Sequence, residues 1–146
     1  MTTPEPKPSP PVELTVPNDA KWLTVVRLAV SGVAARLGAS YEDVDDIKVA
    51  VSEACTNVID HAFEEEECDA AVIRISCEPS DGEISITVQD EGCGFDPAST
   101  RTVDEADPEQ EGGLGLFLIR KLMDDVDVVS RPGGGTKVVM VKRFAR

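Results

Sequence analysis

Apolar and polar positions along the chain fall into blocks with two different periods. Val12–Val16 (VELTV) alternates apolar with polar residues, as a short strand does. Pro17 and the pair Asn18–Asp19 stop that strand, and Asn18 or Asp19 can cap the helix expected from Ala20 to about Leu37. Trp22, Leu23, Val26, Val30, Val33 and Leu37 mark its apolar side, and Gly38 its end. Ser40 then caps a second helix, with Asp43 three residues on in place of the usual Glu. From Tyr41 onward, Val44, Ile47, Val51, Ala54, Val58 and Ala62 recur at steps of three and four. The acidic run Glu64–Glu67 ends this helix, because like charges repel one another and oppose the helix dipole, which predicts an exposed loop.

Two runs of period two follow, roughly Ala71–Glu78 and Glu83–Asp90, linked by the turn residues of PSDG, and they predict an antiparallel hairpin. Residues 91–113 are rich in Gly, Asp, Glu and Pro with no sustained apolar period; such long connections are functional or disordered. Helical spacing returns from Leu114 to Met123, and Val126–Ser130 and Thr136–Lys142 read as two more strands around the turn RPGGG. This block order predicts an α+β fold, a two-layer sandwich of a mostly antiparallel mixed sheet with helices on one face. The other sheet face would stay open unless a partner or subunit covers it. Residues 1–11 (MTTPEPKPSPP) read as a disordered leader, and 12–146 as a single domain without internal repeats.

Bulk properties narrow the function. A chain of 146 residues suits one domain with a sizeable core. A net charge of -14 argues against nucleic acid or an anionic membrane as partner; it fits a protein partner with a basic surface, or simply solubility. No stretch reaches the roughly 20 apolar residues of a membrane span, and no signal-peptide core is present, so a cytoplasmic address is expected. Cys55, Cys68, Cys77 and Cys93 form no CxxC pair and read as buried or incidental thiols. The one histidine, His61, has no GxSxG beside it, which disfavours hydrolase chemistry.

Four features carry candidate chemistry. Glu53, Asn57 and His61 are four apart and form a polar stripe beside the buried face of the second helix. An acid, an amide and an imidazole so aligned suit magnesium binding and proton handling, although such a stripe can equally be a solvated face. Asp90-Glu-Gly92-Cys-Gly94 follows a strand; its carboxylate could accept a purine amine, with the glycines allowing close approach, or the segment could be a plain turn. Gly112-Gly113-Leu114-Gly115-Leu116 opens a helix, where backbone N–H groups can hold phosphates or the glycines can serve as a hinge. The turn accounts for the glycines of Gly133-Gly134-Gly135-Thr136 but leaves Thr136 unexplained. There is neither a GxxxxGK[ST] loop nor a GxGxxG after a first strand.

ExxxN on a helix, then DxGxG, GGLGL after a long loop, and GGGT together resemble the ordered motif set of the GHKL ATPases and kinases, over about Val12 to Val141. AVSEACTNVIDHAF and GGLGLFLIRKLMDDVDV are similar to the serine-kinase anti-sigma factors of that group. The resemblance implies an ATP-dependent protein serine/threonine kinase that phosphorylates an anti-sigma-factor antagonist and sequesters a sigma factor, as a homodimer. It implies Glu53 as general base, or as the group orienting the acceptor hydroxyl, and Asn57 as a Mg2+ ligand. It further implies Asp90 on adenine with Gly92 and Gly94 shaping its pocket and Thr136 supporting it, Gly113, Leu114, Gly115 and Leu116 at the phosphates, and residues 95–111 as a lid. Arg101 in that lid could reach a phosphate or be an exposed loop arginine, and His61 would help to shape the site or be satisfied elsewhere. The rival expectation is a nucleotide-binding partner switch that regulates a phosphatase or another signalling protein without transferring phosphate.

Overall fold

A computed structural model describes residues 10–64, 72–90, 113–131 and 135–144. In chain order these form β1 (Val12–Pro17), a 3-10 turn (Ala20–Trp22), α1 (Leu23–Arg36), α2 (Tyr41–Glu64), β2 (Val72–Ser80), β3 (Glu83–Asp90), α3 (Gly113–Leu122), β4 (Asp125–Arg131) and β5 (Gly135–Arg143). The leader through residue 9, the acidic run from 65, residues 91–112 and residues 132–134 lie outside the described residues. With them lie Cys68, Gly92, Cys93, Gly94, Arg101 and the expected lid.

The five strands form one sheet in the order β1-β2-β3-β5-β4, and all four pairings are antiparallel. Side chains alternate across a pleated sheet, so the register fixes which residues share a face. Val16, Ile73 and Asp90 align across three strands, as do Leu14, Ile75, Val88, Val138 and Val128 across all five. This face carries the buried Ile73, Ile75, Ile84, Ile86, Val88, Val138 and Met140, and the helices pack on it: α1 over β1 and β2, α2 over β3 and β5, α3 beside β4. The opposite face is largely polar, with Glu13, Ser76, Thr87 and Val139 aligned across its middle. Such a surface can face water, so the fold alone does not demand that a partner cover it.

Local chemistry sets the helix ends. Asp19 is the first cap; its Oδ1 accepts the Lys21 N–H at 3.0 Å. The expected helical start at Ala20 is a 3-10 turn, and the α-helix proper begins at Leu23. At the other end Gly38 takes φ +88°, its N–H reaches Ala35 O and the Ala39 N–H reaches Ala34 O, both at 3.1 Å. These are the two bonds of a Schellman stop, which needs a left-handed residue where glycine sits. Ser40 Oγ accepts the Asp43 N–H at 3.1 Å and starts α2. Ala50, Val51, Ala54, Cys55 and Val58 of α2 are fully buried, and α2 lies centrally with α1 on one flank and α3 on the other. In the Asp81–Gly82 hairpin loop only Gly82 has positive φ, which excludes the type I′ turn that needs two such residues.

Candidate active site

α2 packs on the sheet over β3 and β5 and buries Ala50, Val51, Ala54, Cys55 and Val58, with Glu53 and Asn57 partly buried beside them. The hydroxyls between and beside them are used within the helix: Ser52 donates to Lys48 O at 2.8 Å and Thr56 to Ser52 O at 2.9 Å. Neither hydroxyl is spent on Glu53 or Asn57. Asn57 Nδ2 is buried and makes no hydrogen bond, so the protein's own network does not use this amide nitrogen.

What faces the pair is the first turn of α3. A Cβ built on buried Gly115 would lie 2.9 Å from Glu53 Oε2, 3.4 Å from Asn57 Oδ1 and 3.5 Å from Asn57 Nδ2. No side chain fits there without displacing the carboxylate. The conflict is one of space and not of backbone, since φ of Gly115 is not positive, and it falls on the far end of the Glu53 side chain. Gly113 opens the helix, Leu114 follows in its first turn, and Leu116 is partly buried against the core. The structure thus brings the ExxxN stripe against the glycine-rich helix start, two stretches that only the motif resemblance had linked.

A second group forms at the end of the sheet. Asp90 closes β3 opposite Ile73, on the helix-covered face, and is 4% exposed. The β3–β5 ladder pairs Gln89 with Lys137; one step further sets Thr136, 5% exposed, across from Asp90. Two buried polar residues side by side at a strand end suit a hydrogen-bonding ligand better than the core around them does. Lys142 near the end of β5 binds Asp46 on α2. His61 lies in α2 beyond Asn57, and its side chain is outside the described residues.

Cys55 and Cys77 are free and buried. Desolvation raises their thiols from 9.0 to about 12 and about 11, which keeps them protonated and out of the chemistry. Among the described residues no group of three His, Cys, Asp or Glu side chains could hold a metal by itself. Among them, too, no helix is long and apolar enough to cross a membrane.

Two layers, an antiparallel sheet, an acid–amide helix and a glycine-rich helix start opposite it define a nucleotide-binding module of the histidine kinase-like type. The profile of the histidine kinase-like ATPase domain matches residues 16–142. The chain belongs to that family and, within it, to the RsbW serine-protein kinases, and ATP use comes with the family. It is similar to serine-protein kinase RsbW of Halalkalibacterium halodurans, 42% identical over 92% of this chain and 84% of that one. It is also similar to serine-protein kinase RsbW of Staphylococcus aureus, 41% identical over 84% of this chain and 80% of that one. Among solved structures, the RsbU and RsbW domains of a Mycobacterium tuberculosis protein share the fold at a TM-score of 0.69 and 22% identity. That match covers 95% of this chain, which spans about a third (34%) of the longer protein.

Lys142 and Asp46, which tie β5 to α2, were not legible as partners: they stand 96 residues apart, and neither belongs to a motif.

Proposed function

We propose that this pocket transfers the γ-phosphoryl group of ATP to a serine or threonine hydroxyl of an anti-sigma-factor antagonist, and that the protein also sequesters a sigma factor. The observation that carries the proposal is the contact of Gly115 with Glu53 and Asn57, which sets a phosphate-type helix start directly against an acid and an amide. Glu53 is assigned to the acceptor hydroxyl. As the new P–O bond forms and the bond from the γ-phosphorus to the bridging oxygen of ADP breaks, the hydroxyl proton passes to its carboxylate. Asp90, supported by Thr136, is assigned to the adenine amine, and the N–H groups from Gly113 to Leu116 to the phosphates. Gly92 and Gly94 keep their place beside adenine, and residues 95–111 their role over the nucleotide, on the resemblance alone.

Asn57 fits a magnesium ligand: its amide is buried with an unused nitrogen, and such an amide can turn its oxygen toward a hard cation. When bound, Mg2+ neutralises phosphate charge. A single protein donor agrees with a site completed by phosphate and water.

A homodimer is also proposed. The outer side of α1 exposes Val25 and Leu28, the latter 68% exposed, next to Gly32, and this supports α1 over the polar open sheet face as the contact.

Radiolabelled ATP and a candidate antagonist test the assignment. Label should reach a serine or threonine with wild type and be lost with Glu53→Ala. No transfer by wild type, or undiminished transfer by the variant, would sink the kinase reading in favour of a switch without chemistry.

A further inference from the structure

We propose that Lys142 is a positioning residue for this site, acting through α3; the inference rests on the function proposed above. Lys142 Nζ lies 3.1 Å from Asp46 Oδ2 on α2 and 2.6 Å from Leu122 O, the last residue of α3, and its side chain is only 12% exposed. One ammonium therefore bridges the two helices from β5. Seven residues onward from Asp46 is Glu53; seven residues back from Leu122 is Gly115. Those two meet at the site. The antiparallel helices α2 and α3 are thus joined by two rungs about 10.5 Å apart on each helix, an equal interval of two turns.

The rungs differ in kind. At the lower one the end of α3 is held to three consecutive residues of β5: Lys142 to Leu122 O, Asp124 N to Val141 O at 2.8 Å, and Arg143 N to Asp124 Oδ2 at 2.6 Å. At the upper one Glu53 comes close enough that a Cβ added to Gly115 would lie 2.9 Å from its Oε2. Between the rungs each helix has a fully buried residue, Ala50 on α2 and Ile119 on α3, and the two helices are in contact. A small tilt of α3 about its lower end moves Gly115 relative to Glu53 and Asn57, so Lys142 sets catalytic geometry without touching nucleotide. Its loss leaves a partly buried carboxylate and a helix-end carbonyl without their shared donor.

The test compares Lys142→Met, Lys142→Arg and Asp46→Asn in the full chain. Without nucleotide, Lys142→Met should speed amide hydrogen exchange at residues 115–119 by roughly tenfold, while Lys142→Arg, which keeps charge and donors, stays near wild type. MgADP affinity by calorimetry and the single-turnover transfer rate should each fall by roughly tenfold in Lys142→Met. Combined with Gly115→Ala, the loss should be clearly smaller than the product of the single losses, because both act on one contact. Unchanged exchange at 115–119, or losses that multiply, would overturn the proposal and leave Lys142 a general stabiliser. Asp46→Asn opens the same bridge more gently, and if Lys142→Met does not fold, the same exchange, affinity and rate measurements on Asp46→Asn decide the question. Wild type that exchanges and binds MgADP as described but transfers no phosphate would remove the kinase function and leave the positioning role standing.

Discussion

Gly38 and Gly115 both sit at helix ends, and they are glycine for opposite reasons. Gly38 has φ +88° and nothing within 4 Å of where a Cβ would lie; it supplies a backbone conformation. Gly115 is in ordinary helical backbone, and its Cβ would collide with Glu53; it supplies space. The first need is local, created by the two Schellman bonds to Ala34 and Ala35. The second is created by a helix more than 50 residues away. Losing the first costs stability, whereas losing the second should cost geometry at the site.

Alanine at each glycine separates the two. Gly115→Ala is expected to have the largest effect, lowering the phosphoryl-transfer rate by about 100-fold through displacement of Glu53 with little change in Tm. Single-turnover kinetics beside a thermal melt would check it, and a large loss of Tm with near-normal rate would break the comparison. Gly38→Ala should show the reverse, destabilising by about 1–2 kcal/mol and lowering Tm by several degrees while transfer by the folded fraction is unchanged. Gly32 sharpens the contrast, since it lies inside α1 with open space around it and no positive φ. Gly32→Ala should therefore stabilise by about 0.5–1 kcal/mol, as denaturant titration of dilute protein would show.

The smallest effect concerns the buried thiols. Cys55 and Cys77 keep their protons in the folded state to about 12 and about 11 against 9.0 for a free thiol. Their folded pKa values are raised, so the unfolded chain ionises first. The thiols' contribution is intact below pH 9 and declines as pH rises from there toward 12. Melts at pH 8 and 10 should show a fall in Tm that is smaller in Cys55→Ala; an equal fall would assign it to other groups.

Much of the fold was legible because its signals are local. The period-two strands, the Ser40 cap and the Gly38 stop follow from a few neighbouring residues, and the structure has them in place. The exception near Trp22 is instructive: a cap at Asn18 or Asp19 was visible, but the choice of Asp19 and the tight first turn were not, because α and 3-10 starts share the same cap chemistry. The polarity of the open sheet face was written in the strands too, in residues such as Ser76 and Thr87, yet its meaning needed the register. At the site, the residue types of Glu53, Asn57, Asp90 and Thr136 could be picked out one by one. Their grouping came only from the resemblance of the ordered motif set, not from any local pattern.

By itself the sequence determined the elements, their ends, and which side chains could do chemistry, since periodicity, capping and residue type act over a few positions. Only the tertiary structure decided that a methyl group on Gly115 would displace Glu53, that the register sets Thr136 across from Asp90, and that Lys142 closes a bridge between α2 and α3. Each of those depends on how helices and strands distant in the chain come to rest against one another. Close packing sets that to tenths of an ångström, and no local pattern encodes it.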